Sequence, residues 1–523
     1  MANADDEWRP KVNPWLIAAT MVLPAFMVVL DTSVANVALP HIAGSLSASA
    51  DEATWILTSY LVANVIVLPI AGWLTQVIGR RRLLIIGMAV FTISSLACGA
   101  AVSLEMAIIS RVIQGASGGS LLPNVQAILL ESFPRSKRGE AMAAYAVGVI
   151  VAPVVGPTLG GWITDTYSWR WVFYINLPVC LIAILMTVLL IEDPPYIRRQ
   201  IVKSIDYVGF ILMAVGLGAL QIVLDKGERA DWFASTWVWA AVITSGVSLS
   251  GFVFWELNSK EPIVNLRVLS NRNFAVGSVL LLTYAIMLYG TLVMLPIFLQ
   301  TLMGYTAMVS GLAISPRGMG SMVSTFCAGR LVRRLDGRIM ITTGFITLAF
   351  ASFLLGEVNL QISIASIVLP NVISGLAMGM IFVPMTTMAM GTLPNETIGT
   401  ATGLYNLMRG MGGSIGIAVI TTLLSRHAQL HQSLMVSHLT PYDPAFRESL
   451  HGLTGLFSTQ GDLVEAMRKA YLSIYNNLLV QSSLWAFIDN FRLLGYFSLL
   501  GVPLALLFKN VTSEKNMRSS IGD

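Results

Sequence analysis

Charge is scarce in this chain of 523 residues: 11% are Asp, Glu, Lys or Arg, against about 25% in a soluble domain, while 55% are hydrophobic. With a mean hydropathy of +0.72, that shortage excludes an ordinary soluble fold and points to a polytopic membrane protein. Cysteine is scarce too. Cys98, Cys180 and Cys327 all lie in apolar runs, which excludes the disulfide framework of a small secreted domain. No Gly-rich loop ends in Gly-Lys-Ser/Thr, so nothing supports ATP as the energy source, and there is no His-Glu-x-x-His. His427 and His431 have i, i+4 spacing but no acidic or cysteine ligand spaced beside them, so no metal is expected. No cleavage pattern precedes the first apolar run, which is expected to be retained. The net charge of +4 is no nucleic-acid signal, because the basic residues fall at the ends of apolar runs and not on one face.

What is there is a series of apolar runs of bilayer-spanning length: 15–39, 55–78, 83–103, 106–130, 141–164, 171–191, 207–224, 236–255, 274–300, 309–331, 339–356, 364–391, 400–424 and 485–508. Fourteen spans put both termini on one side. With that side cytoplasmic, the basic residues Arg9, Lys11, Arg80–Arg82, Arg135, Lys137, Arg138, Arg198, Arg199, Lys203, Lys260, Arg267, Arg272, Arg330, Arg333, Arg334, Arg338, Lys509, Lys515 and Arg518 all fall inside. The short outer loops hold only Arg170, Lys226 and Arg229. A shift of 260 residues brings Gly115 onto Gly375, Gly119 onto Gly379, Pro134 onto Pro394, Tyr145 onto Tyr405 and Gly156 onto Gly416. With a slip of three, Gly72 and Leu74 fall on Gly329 and Leu331. The chain is therefore expected to be all-α, with two copies of a six-helix unit and two inserted helices, an architecture of transporters. The divisions are a cytoplasmic N-terminus (1–14), a six-helix bundle (15–191), a linker with two extra helices (192–273), a second bundle (274–508) with a periplasmic loop (425–483), and a cytoplasmic C-terminus (509–523).

Ionisable residues inside spans are costly and mark function. Asp31 lies in span 1, about 13 Å from an end drawn at Pro40, and Arg111 lies about 8 Å into span 4. A long arginine side chain covers the difference, so the two are expected to meet. A carboxylate facing an arginine is held ionised, whereas desolvation without the arginine favours the protonated form. Alternation between those surroundings takes up and releases a proton; the other reading is a static buried pair. Arg317 and Arg409 lie in spans 10 and 13, and Asp489 and Arg492, one turn apart, are read as a local pair. Span 5 carries Pro153, Gly156, Pro157, Gly160 and Gly161, read as a hinge or seal between the halves or as close small-residue packing. The loop holding Gly72, Gly79, Arg80 and Arg81 is a tight turn whose arginines anchor at headgroups. Candidate residues of a substrate cavity are Asn36, Trp55, Tyr60, Asn64, Gln126, Tyr145, Tyr289, Met385, Tyr405 and Arg409, and the 25 methionines suit an adaptable apolar surface. Titratable groups are scattered and no cytoplasmic domain is large enough to signal, so neither an enzyme nor a receptor is expected.

Three sets of residues carry a resemblance. They are Leu30-Asp31-Thr32-x-Val34-x-Asn36-Val37-Ala38-Leu39-Pro40, Arg111-x-x-Gln114-Gly115-x-x-Gly118-Gly119, and Gly156-Pro157-x-x-Gly160-Gly161 followed by Trp169-Arg170-Trp171-x-Phe173-x-Ile175-Asn176-x-Pro178. The chain resembles the major facilitator superfamily, in its fourteen-span drug:proton antiporter branch of EmrB-type multidrug efflux pumps. The resemblance implies two six-helix bundles working by alternating access in the bacterial inner membrane. Proton import, with no cofactor, drives export of hydrophobic, structurally varied toxic compounds. It also implies a periplasmic adaptor (EmrA-type) and an outer-membrane channel (TolC-type) as partners. The alternative is a proton-coupled transporter of one small metabolite or anion. The pattern departs at Gln76, where the superfamily's loop usually carries an aspartate.

Overall fold

The structure is a computed structural model that describes residues 10–134, 137–194, 206–259, 262–332, 334–458 and 462–509. Arg9, Arg135, Arg198, Arg199, Lys203, Lys260, Arg333, Lys515 and Arg518 lie outside the described residues.

Every described element is helical. The long ones are α1 (Pro14–Ser45), α2 (Trp55–Val67 and Ala71–Ile78, bent by 63°), α3 (Arg80–Gly99), α4 (Leu104–Ser132), α5 (Arg138–Thr166), α6 (Trp171–Leu190), α7 (Tyr207–Lys226), α8 (Thr236–Asn258), α9 (Arg272–Ile297), α10 (Ala307–Leu331), α11 (Gly337–Leu355), α12 (Ile364–Gly391), α13 (Asn395–Val436) and α14 (Leu463–Leu499). Their starts follow capping chemistry. The side chains of Asn13, Ser103, Asp206, Asn271, Thr306 and Ser363 each accept a backbone N–H of the first turn that the helix itself leaves unpaired.

Nine described helices are long and apolar enough to cross a membrane, or eleven with the bent α2 and α5. The chain is thus a multi-pass membrane protein. The expectation of fourteen spans is not carried by apolarity alone, because α4, α10 and α14 fall short. In α4 and α10 small polar side chains and an arginine face other helices and not lipid, as with Ser117, Ser120, Asn124, Ser321 and Thr325, all buried. In α14 the first turns lie beyond the apolar part.

The helix neighbours repeat. In the first six, α1 packs on α4, α5 and α6, α2 on α4, and α3 on α4 and α6. In the last six, α9 packs on α12, α13 and α14, α10 on α12, and α11 on α12 and α14. The halves meet through α5 against α10 and α12, and through α13 against α2 and α4. Of the inserted pair, α7 leans on α2 and α13 and carries α8. Arg80, Arg81, Arg138, Arg272, Arg334, Arg338 and Lys509 cluster at helix ends on one face, called here the basic face.

The structure changes two of these expectations. The segment 425–483, drawn as a loop, is mostly helix: α13 runs on to Val436, Pro444–Ser458 forms a short helix, and α14 begins at Leu463. Asp489 and Arg492 do not pair with each other. Asp489 binds Nε2 of His431 on α13 at 2.6 Å, and Arg492 binds Glu357, in the turn that follows α11, at 2.9 Å. His427 is taken up by the Asn490 amide at 3.3 Å.

Candidate functional site

α1 continues past Pro40 to Ser45, which puts Asp31 near the middle of the helix. There its Oδ2 accepts from Nη1 of Arg111 on α4 at 2.5 Å, with both side chains closed off from solvent. The other carboxylate oxygen accepts from the amides of Gln114 (3.0 Å) and Asn176 (2.6 Å). Arg111 also donates to Oε1 of Gln114 (2.8 Å) and, through Nε, to the carbonyl of Ile56 (3.2 Å). Its guanidinium lies over the Tyr60 ring, 4.1 Å from the centroid. Asn176 donates onward to Oγ of Ser95 at 2.9 Å, and Ser95 to the carbonyl of Phe173 at 2.8 Å. Two neutral amides and one cation thus hold one carboxylate at the junction of α1, α4 and α6.

Close backbone approach builds this junction. A Cβ on Gly115 would lie 2.2 Å from the Tyr60 carbonyl oxygen, so glycine lets α2 seat against α4 and bring Tyr60 to Arg111. On α5 a Cβ on Gly156 would lie 2.3 Å from Oγ of Ser33, and one on Gly160 would lie 2.9 Å from Val34, while Gly161 faces open space. These glycines pack α5 on α1 within the first half. Where the sequence offers a hinge or close packing, α5 is bent by 44° between Arg138–Pro153 and Val155–Thr166. Pro157 has no N–H to give the Pro153 carbonyl four residues earlier, and Ser33 supplies that donor at 3.4 Å.

Removing Arg111 leaves Asp31 buried with amide donors only. Breaking a buried pair in this way costs about 3–5 kcal/mol. Arg111→Ala is therefore expected to lower the thermal midpoint of the purified protein markedly. The double variant Asp31→Asn with Arg111→Leu is expected to recover most of it, as thermal unfolding in detergent will show.

A second feature lies between the halves. A small cavity of about 20 Å³, room for about one water, is walled by Val149, Ile150 and Pro153 of α5, Tyr284 and Tyr289 of α9, Arg317 of α10, Met378 and Phe382 of α12, and Arg409 of α13. Of the cavity residues expected from the sequence, Tyr289 and Arg409 line it. Tyr145, Gln126 and Tyr405 lie deeper between the halves. The Tyr145 hydroxyl donates to Oδ1 of Asn406 (3.3 Å), whose amide donates to Gln126 (2.6 Å). The Tyr405 hydroxyl meets that of Thr386 at 3.2 Å. The others are elsewhere. Tyr60 belongs to the Arg111 cluster, Asn64 donates to the Gly115 carbonyl (3.3 Å), and Met385 is packed in the core. Asn36 is exposed on α1, and Trp55 is 40% exposed with the Lys226 ammonium 4.9 Å from its ring. Sequence reasoning proposed no site role for Gln114, Asn176, Tyr284 or Phe382. The first two carried a signal, as polar side chains inside apolar runs.

The turn from α2 to α3 differs from its expectation. Gly79 has φ +90°, a left-handed conformation that glycine alone adopts freely. Arg80 does not reach for headgroups: it is buried and paired with Glu131 of α4. The Arg81 N–H donates to Asp193 at 2.8 Å and its guanidinium to the Val188 carbonyl. A Cβ on Gly72 would lie 2.5 Å from Cα of Thr400, so α2 and α13 touch backbone to backbone on the basic face. Arg138 donates to Asn395 at 2.9 Å beside them. Among the described residues no three His, Cys, Asp or Glu side chains gather as a metal site.

A family model described as the Major Facilitator Superfamily matches residues 21–417. The multidrug export protein EmrB of Escherichia coli is 37% identical over 458 residues, which is 86% of this chain and 88% of the relative. The fatty acid resistance protein FarB of Neisseria gonorrhoeae is 37% identical over 465 residues, 89% of this chain and 90% of the relative. The colistin resistance protein EmrB of Acinetobacter baumannii is 30% identical over 505 residues, 94% of this chain and 96% of the relative. In fold, the crystal structure of the human organic anion transporter MFSD10 (TETRAN) is similar, with a TM-score of 0.59 at 13% identity over 93% of this chain and 100% of that one.

Proposed function

Because the chain belongs to the major facilitator superfamily, we propose that it is a drug:proton antiporter of the EmrB type, exporting hydrophobic, structurally varied compounds by alternating access. The observation that carries this reading is the buried Asp31–Arg111 pair with its two amide donors. In the closed arrangement Arg111 neutralises Asp31. A displacement of α1 against α4 that lengthens that contact leaves the carboxylate buried without its counter-charge, where the protonated form is favoured. Rejoining expels the proton. The aromatic and thioether walls between the halves suit apolar guests of varied shape, and a relative named for multidrug export fits that chemistry.

In this reading the protein is a carrier and not an enzyme, and the proton gradient alone supplies the energy. The basic face lies in the cytoplasm of a bacterial inner membrane, with both termini on that side. The helices spanning 425–483 then project outward and form the place where an EmrA-type adaptor, leading to a TolC-type channel, makes contact.

The test is expression of the full chain in a pump-deficient bacterium, with and without the adaptor, across a panel of lipophilic toxins. Protection against several unrelated compounds is expected, with retention of a lipophilic dye on addition of an uncoupler. Protection confined to one compound, or dye efflux indifferent to the uncoupler, would sink the reading.

A further inference from the structure

Arg317 on α10 is 1% exposed, and among the described residues nothing accepts a hydrogen bond from its Nε, Nη1 or Nη2. It lines the small cavity between the halves together with Arg409, also buried with Nε unpartnered, and Tyr284, buried with its hydroxyl unpartnered. Among the described residues no carboxylate lines that cavity. Two guanidiniums thus share one small space without a counter-charge. A cation at this depth is expensive, and buried charges are kept where something pairs with them.

The internal repeat sharpens the point. A Cβ on Gly115 would lie 2.2 Å from the Tyr60 carbonyl oxygen, and one on Gly375, its mate, 2.1 Å from the Arg317 carbonyl oxygen. Arg317 therefore occupies in the second half the place of Tyr60 in the first. Across the same repeat Thr291 stands opposite Asp31, and its hydroxyl is spent on the Met287 carbonyl at 2.6 Å. The first half pairs its buried cation with a carboxylate of its own. The second keeps a buried cation and supplies no carboxylate to the cavity it faces.

Size decides what can take that part. At about 20 Å³ the cavity admits one body about as large as a water, and no organic acid fits. A water accepts from one or two of the donors and leaves the charge unbalanced. We propose that Arg317 and the Tyr284 hydroxyl hold a small halide, chloride in the cell, as the resident counter-charge of the second half. A monatomic anion accepts from any direction, so it takes the guanidinium N–H groups and the phenol O–H together, each bond strengthened by the charge. Arginine, the more weakly hydrated of the basic side chains, suits such a buried pair. The ion is a fixed part of the protein and not cargo, so the inference stands apart from the antiport reading.

The experiment uses the purified full chain in detergent, exchanged from chloride into gluconate at constant ionic strength, since gluconate is too large for the cavity. Binding of radioactive chloride is measured by equilibrium dialysis, and the thermal midpoint is followed as chloride replaces gluconate. The parent is expected to bind chloride saturably and to gain about 2 °C or more in midpoint, by mass action. Bromide should displace the bound chloride, and sulfate, too large to enter, should not. Arg317→Gln is expected to weaken chloride binding at least twentyfold and to unfold at one temperature in both salts. Arg317→Lys should keep part of the affinity, and Tyr284→Phe should lose severalfold. Because Arg317→Gln removes the charge that needs balancing, its midpoint in gluconate is expected to equal or exceed the parent's in gluconate. Absence of saturable binding in the parent, or equal parent midpoints in the two salts, overturns the proposal whatever becomes of the variants. So does chloride binding of parent affinity in a monodisperse Arg317→Gln protein, which places the ion elsewhere.

Discussion

Asp31→Asn is expected to abolish proton-driven export while leaving a folded protein. Asparagine has the aspartate's volume, and its Oδ1 still accepts from Gln114 and Asn176. It carries no exchangeable charge, so the step in which the site gains and loses a proton is gone. The amide nitrogen takes the place of Oδ2 and meets the Arg111 donor head-on, so that contact opens. Arg111 keeps the Ile56 carbonyl, Gln114 and the Tyr60 face, which offset part of the cost of its lost counter-charge. Uptake of a lipophilic dye into inside-out vesicles under an imposed pH gradient is expected to fall at least a hundredfold. Substrate-for-substrate exchange, which needs no net proton movement, is expected to persist. Gradient-driven transport at the parent rate would remove Asp31 from the mechanism.

Gly72→Leu is expected to cut turnover tenfold or more by a different route. The atoms that a Cβ would meet are Thr400 Cα at 2.5 Å, Thr400 N at 2.6 Å and the Gly399 carbonyl carbon at 2.8 Å, all backbone and none able to swing aside. These atoms belong to α13, across the junction between the halves. The strain of overpacking, about 1–3 kcal/mol, therefore falls on the state in which the basic face is shut and not on the folding of either half. A shift of about 1.4 kcal/mol is tenfold in population. The check is the initial efflux rate together with modification of a cysteine placed at Thr397 by an impermeant maleimide, in a background lacking Cys98, Cys180 and Cys327. Faster modification with slower efflux is expected, and Gly72→Ala should fall between. Parent values for both would show that the contact is incidental.

Much of this site was legible because a charge in an apolar helix is conspicuous. Asp31 and Arg111 declare themselves by cost, and rise per residue was enough to place them within reach of each other. The depth of Asp31 was misjudged, since Pro40 does not end α1: a proline frees one carbonyl without forcing a stop when neighbouring helices supply packing. Tyr60, Gln114 and Asn176 were harder to assign, because neutral polar residues are common in spans and only the fold shows which of them point at one carboxylate. The burial of Arg80 was not legible, as an arginine at a span end reads as a headgroup anchor until Glu131 is seen beside it. Trp55 was misplaced because an aromatic residue at a helix start looks alike whether it faces a cavity or, as here, a lysine near the surface. The equivalence of Arg317 with Tyr60 needed the three-residue slip between the copies, which sequence alone suggested only for the following turn.

The length of α13 has a mechanical meaning. Its 42 residues make a rod of about 63 Å, roughly twice the hydrocarbon thickness. One end is pinned in the Gly72 and Arg138 contacts, and the other is braced to α14 by His431 and Asp489 and to the α7–α8 turn by Arg426 and Asp231. A rigid rotation of about 10° at the pinned end sweeps the far tip through about 10 Å. The length of the rod thus sets a lever ratio: any rotation at the pinned end is magnified at the far tip, and the His431–Asp489 and Arg426–Asp231 contacts carry α14 and the α7–α8 turn with it.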